Sequence, residues 1–230
     1  MAEVQPREIQ RYVTSDGQVP FDNWCDSFRE RKIPTIINKR LNRVILGNLG
    51  DCKSVGEGVF ELRIDYGPGF RIYFGQVGTT IVLLLCGGDK STQDRDIAQA
   101  IEYWTNYRSS KMPKSLPYHD FLIARLKDPS YAAVYLETHF ELDEGEEPDE
   151  ALIRLALSDV AEALGQPKMT PEEYESHLKK LDELLSQQGS DTIYNLGTWL
   201  NALGLKLTVA VCTDTEDNTA NAETRSHLTV

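Results

Sequence analysis

The sequence predicts an α+β fold in two parts: a small antiparallel sheet packed against helices, then an all-α domain that ends in a short strand. Three observations carry this. Apolar segments with period-two alternation lie within residues 58–87, joined by connections of hairpin length. Segments with helical spacing surround them and make up almost all of the chain after residue 117. The charge is also divided: of 24 Lys+Arg and 36 Asp+Glu, residues 1–110 hold 14 of each, so the net −12 belongs to the rest.

Each element has its own justification. "REIQRYVT" (7–14) alternates as a strand does. "FDNWCDSFRERK" follows Pro20 and spaces Phe21, Trp24, Cys25 and Phe28 along one helical face. "PTIINKRLNRVILGNLG" (34–50) opens with Pro34 in the first turn and closes on glycine. Its apolar face is Ile36, Ile37, Leu41, Val44 and Ile45, which puts Lys39, Arg40 and Arg43 outside. The strands "GVFELRIDY", "GFRIYFGQV" and "TTIVLLLCG" follow, linked by "GPG" and "VGTT". A helix over "TQDRDIAQAIEYWTNY", with Thr92 as its cap, closes the first half.

"YRSSKMPKSLPYHD" (107–120) reads as a linker or a loop between helices, which sets domains at 1–110 and 111–212. Beyond it, "YHDFLIARLKDP", "PSYAAVYLETHF", "DEALIRLALSDVAEALG", "TPEEYESHLKKLDELLSQQG" and "SDTIYNLGTWLNALG" read as helices, with "ELDEGEEPDE" an acidic loop. Thr170, Pro171 and Glu173 compose a capping box. "LKLTVAV" (205–211) reads as the closing strand, and residues 213–230 as a disordered tail.

The composition limits the chemistry. The longest apolar run, "TIVLLLC", is too short to span a bilayer and no signal peptide precedes the fold, so the expected compartment is the cytoplasm with no membrane partner. The four cysteines lack metal-ligand spacing. All four histidines lie beyond residue 110, so a histidine relay in the first half is excluded. Its scattered acids argue against a metal nuclease, and no cofactor is expected.

What the strands offer is cations. Alternation puts Arg71 and Tyr73 on one face of "FRIYF", and Glu61, Arg63 and Asp65 on one face of "VFELRIDY". Pairing through the GPG turn brings Arg63 near Arg71, with Tyr73 or Tyr66 alongside. Such a patch binds a phosphate, or it is a solvated face balanced by Glu61 and Asp65. In "LCGGDKSTQ", Gly87 and Gly88 let the backbone bend or approach a ligand closely, leaving Lys90 at the open end of the strand.

The stretch "ELRIDYGPGFRIYFGQVGTTIVLLLCGGDKSTQDRDIAQAIEYW" resembles the signature of RelE/HigB-type toxins, in the subgroup of addiction-module killer proteins, over roughly residues 7–108. The resemblance implies a microbial-RNase-like fold and metal-independent cleavage of mRNA on the ribosome by attack of the RNA's own 2′-hydroxyl. Carried over by position, it implies a catalytic set of Arg71, Lys90, Arg63 and Tyr73. Lys53, Tyr66, Thr92, Lys39, Arg40 and Arg43 are then RNA-binding candidates. ParE-like relatives of the superfamily act on gyrase instead.

"LPYHDFLIARLKDPSYAAVYLETHFE" with "ALIRLALSDVAEALG" and "LNALGLKLTV" resembles a HigA-like antidote protein. The implied arrangement is a toxin–antitoxin fusion in which the acidic half lies over the basic face of the first as an intramolecular partner. Antidotes of this kind often dimerise, so a homodimer is among the expected partners. DNA binding is not expected: residues 166–206, where the antidote family has its helix-turn-helix, hold 4 Lys+Arg against 6 Asp+Glu.

Overall fold

The computed structural model describes residues 6–79, 81–142, 147–186 and 190–208. Strand β1 (Glu8–Tyr12) is followed by helices α1 (Pro20–Asp26) and α2 (Lys32–Ile45). Strands β2 (Cys52–Gly56), β3 (Val59–Ile64), β4 (Phe70–Val77) and β5 (Ile81–Asp89) come next. A 3-10 turn (Lys90–Thr92) leads into α3 (Gln93–Ser109). Strand β6 (Ser115–Pro117) then precedes α4 (Tyr118–Leu126), α5 (Pro129–Phe140), α6 (Glu150–Val160), α7 (Pro171–Leu185) and α8 (Ser190–Ala202). The fold is α+β.

The strands form one sheet in the order β2-β3-β4-β5-β1-β6. Consecutive strands from β2 to β5 pair antiparallel, as hairpin-length turns require. β1 runs parallel to β5, so the sheet is mixed rather than wholly antiparallel. One sheet face (Leu62, Ile64, Ile72, Phe74, Val82, Leu84) joins the apolar side of α1 and α2. The other (Val59, Tyr73, Leu83, Leu85) packs on Ala100 and Trp104 of α3.

Several expectations are corrected. β2 was not foreseen, because "CKSVG" has neither apolar run nor clear alternation and forms by pairing with β3. Part of the stretch read as a linker is sheet: Ser115, Leu116 and Pro117 pair antiparallel with β1, and Val13 N–H donates to Lys114 O at 3.1 Å. Of "LKLTVAV", residues 205–208 form no strand and the remainder lies outside the described residues, as does the tail from 213.

Lys39 and Arg40 are buried instead of lying outside. The reason is that α2 is covered on two sides. Ile37, Leu41 and Val44 join the sheet's core, while Thr35, Asn38 and Asn42, on the opposite side of the helix, meet α4 and α5. One continuous core reaches from Ile9 through α2 to Leu203.

Polar groups fill that seam. Tyr118 Oη donates to Asn38 Oδ1 at 2.7 Å, and Asn38 Nδ2 donates to Tyr131 Oη at 2.9 Å. Asn42 Nδ2 donates to Tyr135 Oη at 2.6 Å, and Tyr135 Oη to Asp159 Oδ2 at 2.8 Å. His139 Nδ1 lies 2.7 Å from Tyr135 O and its Nε2 lies 3.3 Å from Asn42 Nδ2. Donors must alternate with acceptors along this chain, so His139 is the neutral tautomer with its proton on Nδ1.

Candidate functional site

The cations converge at one end of the sheet, around a carboxylate. The GPG turn sets Arg63 directly opposite Arg71 and Glu61 opposite Tyr73. Two guanidinium groups facing each other across a ladder repel, so the pairing needs an anion beside it. Glu61 is that anion and is fully buried. Its Oε1 accepts from Arg63 Nε at 3.0 Å and lies 3.6 Å from Lys53 Nζ. Its Oε2 accepts from Gln93 Nε2 at 2.8 Å and from Tyr73 Oη at 3.3 Å, and lies 3.5 Å from Arg71 Nε. Burial alone would push the Glu61 carboxyl up; the hydrogen bonds from Arg63 and Gln93 and the charges of Lys53 and Arg71 outweigh it and hold the group below its ordinary value.

The cations differ in how freely they face solvent. Arg63 and Lys53 are 39% and 44% exposed, and Arg71 only 11%. Arg63 also lies 3.8 Å from Asp51, and Arg71 Nη1 donates to Gly69 O at 2.7 Å. Lys90 is exposed and has no hydrogen bond or ion pair to any described residue. It stands beside Arg71: a Cβ on Gly69 would lie 3.7 Å from Arg71 Nη1 and 4.0 Å from Lys90 Cβ. Tyr66 projects from the same turn and is exposed.

The structure therefore brings together Arg71, Lys90, Arg63, Lys53 and Tyr66. Tyr73 is on the same sheet face yet fully enclosed beneath α3, its phenol pushed up by burial and by Glu61. Thr92 does not give α3 a side-chain cap. It closes a reciprocal capping box with Asp89 and donates to Asp96.

Lys39, Arg40 and Arg43 lie elsewhere, on α2. Arg40 donates to the carbonyl of Leu49 and, at 3.4 Å, to those of Arg63 and Asp51, fixing the loop before β2. Lys39 Nζ donates to Glu141 O at 2.7 Å, and Lys32 pairs with the Glu141 carboxylate at 2.6 Å. Arg43 lines a cleft with Lys39, His139, Glu141 and Asp149.

The acidic half thus lies over the basic side of α2, but not over the sheet cations as expected. No hydrogen bond or ion pair of Glu61, Arg63, Arg71 or Lys53 reaches a described residue beyond 110.

Gly87 and Gly88 serve packing. A Cβ on Gly87 would overlap the Trp24 ring, and one on Gly88 would overlap the Asp96 carboxylate. Glu61 and Gln93 are the members that sequence reasoning missed as site residues. The i, i+2 spacing of Glu61 and Arg63 was a usable signal; Gln93 enters from the helix across the sheet and had none.

No protein-family model matches the chain. A protein of Haemophilus influenzae, described only as uncharacterized, is 51% identical over 80 residues, covering 35% of this chain and 81% of that protein. The chain belongs to that protein's family. The membership rests on about a third of the chain and on most of the relative. No solved structure matches.

Proposed function

We propose that the chain is a natural toxin–antitoxin fusion of the cytoplasm: a metal-independent, ribosome-associated mRNA endonuclease joined to the helical module that restrains it. The observation that supports this best is the convergence of Arg71, Lys90, Arg63 and Lys53 at one sheet end. Several cations around one point bind a phosphodiester and stabilise the charge that develops on phosphorus during attack by the 2′-hydroxyl. The nucleophile belongs to the RNA, so the protein's task is to orient the phosphate and the leaving group.

Restraint in this reading acts through α2. Its basic side is covered by α5 and Glu141, while Arg63, Lys53 and Lys90 stay open to solvent, so the helical half denies the ribosome a docking surface rather than capping the catalytic end. No helix among the described residues is long and apolar enough to cross a membrane.

One observation favours a second, non-enzymatic reading. Tyr73 is enclosed, so it cannot pass a proton to substrate, and the neighbouring Glu61 carboxylate is buried under cations. A regulatory or gyrase-binding protein would have the same fold with no turnover.

The two part in a ribosome-containing lysate. Residues 1–110, once circular dichroism shows that they keep their fold without β6 and α5, should cut mRNA and the full chain should not. Arg71→Ala should lower cleavage by about 10²- to 10³-fold, the usual loss of one preorganised donor. Intact mRNA with residues 1–110 at concentrations that halt translation would support the second reading.

A further inference from the structure

The Glu61 carboxylate is buried at the centre of the cluster, yet a phosphate site gains nothing from an anion in its midst. Its Coulomb effect on a bound phosphate is repulsive. Its contacts differ from those of a surface counter-ion. Each oxygen serves more than one donor, and the donors come from β2, β3, β4 and α3. A group tied to four elements defines positions; it does not merely balance charge.

The guanidinium geometry shows what is positioned. Glu61 accepts a hydrogen bond from Arg63 Nε at 3.0 Å, whereas Arg71 Nε, 3.5 Å away, is paired with it by charge alone and has no hydrogen-bond partner. Arg71 Nη1 is then spent on Gly69 O, and Arg63 Nη1 lies near Asp51. Nη2 of each arginine has no partner among the described residues. Arg63 is held by its Nε edge, and Arg71 by its Nη1 bond to Gly69 O with the Glu61 charge beside it, which leaves the outer nitrogen of each planar group for a ligand.

We propose that Glu61 is a positioning residue that holds Arg63 by a hydrogen bond at Nε and Arg71 by its adjacent charge, so that their outer nitrogens meet one phosphodiester of single-stranded RNA. The inference rests on the phosphate-binding reading above. The carboxylate weakens the patch electrostatically and strengthens it geometrically, and the two effects have opposite signs under mutation. Without Glu61 the facing guanidiniums repel and separate. Gln93 and Tyr73 hold the carboxylate in turn.

The test uses the full chain and a single-stranded RNA heptamer made uncleavable by 2′-O-methylation. Glu61→Gln and Asp65→Asn each remove one negative charge, the first from β3 and the second from the position just after it; Asp65 is exposed and outside the cluster. Charge alone predicts tighter binding for both. Positioning predicts that Asp65→Asn binds slightly tighter and Glu61→Gln about tenfold weaker, the cost of a misaligned charge-assisted contact. The Nε–Hε resonances of Arg63 and Arg71 should be sharp in the wild type and broaden in Glu61→Gln, with circular dichroism unchanged. Tighter binding by Glu61→Gln, or unchanged arginine resonances, overturns the proposal. A wild type that ignores the heptamer overturns the phosphate reading, and the arginine resonances then decide the positioning of the side chains by themselves. If Glu61→Gln loses its fold, Gln93→Ala takes its place, since it frees the carboxylate without removing it, and the same broadening is expected.

Discussion

At the scale of single residues, the two glycines before Lys90 show how one sequence signal serves two physical ends. A Gly-Gly pair at a strand end suggests a bend or a ligand approaching the backbone, but here the visitors are side chains of this protein. Trp24 lies over Gly87 from one face, and Asp96 lies over Gly88 from the other. Asp96 accepts from Thr92, whose neighbours Asp89 and Ser91 shape the turn that carries Lys90. Gly88→Ala should therefore push Asp96 away and cost about 1–3 kcal/mol, the usual penalty for overpacking. Urea unfolding measures it. An unchanged midpoint would mean that the contact yields easily. The pairing of Arg63 with Arg71 belongs to this scale too: alternation and the GPG turn were enough to foresee it, while the buried anion that makes it tolerable was not.

At the scale of elements, α2 is the part whose surroundings matter most. Its apolar stripe points at the sheet as its periodicity dictates, and its polar side becomes the seam with α5 and α6. Two buried titratable groups lie there. Burial pulls His139 down to about 4, the nearby Lys39 and Arg43 adding to the effect, while its hydrogen bond to the Tyr135 carbonyl opposes them. Burial pushes Asp159 up to about 6, against the hydrogen bond from Tyr135.

The signs are opposite. A depressed histidine contributes stability that is complete above pH 6.5 and drains away as pH falls toward 4. A raised aspartate contributes stability that is complete below 3.8 and drains away as pH rises through 6. Between about pH 4 and 6 the two slopes offset each other, each up to about 1.4 kcal/mol per pH unit. Relative to wild type, Asp159→Asn should lose stability faster on acidification over this range. His139→Gln should lose it more slowly or gain. Chemical denaturation at pH 7, 5.5 and 4.5 checks both, and parallel slopes for the two variants would refute the assignment.

At the scale of the whole molecule, the charge division decides which polyanions the chain tolerates. On the proposed reading, the helix pair α7–α8 stands where an antidote would carry its DNA-reading helices. Thr170 and Glu173 close a capping box at the start of α7, and Glu172 adds further charge there, so the positive end of the helix dipole is already answered. Asp182 pairs with Arg154 at 2.7 Å. With a net charge of −12, the full chain should bind duplex DNA poorly. Titration onto its own promoter fragment at low and moderate salt should give weak, non-saturating shifts. Selective binding that survives competitor DNA would show that α7 and α8 still read an operator.

The sequence by itself determined the strands from β3 to β5, the helices, the capping box of α7 and the shared face of Arg63 and Arg71. All of these follow from local periodicity, turn chemistry and chain connection over a few residues. Only the tertiary structure decided the parallel pairing of β1 with β5, the joining of Ser115–Pro117 to the sheet edge and the burial of Lys39 and Arg40. It also decided the presence of Gln93 at the Glu61 carboxylate and the side of the first half on which the acidic helices lie. These depend on contacts between residues far apart in the chain. Period and propensity report which face of an element is apolar, but not which distant segment will cover its polar face.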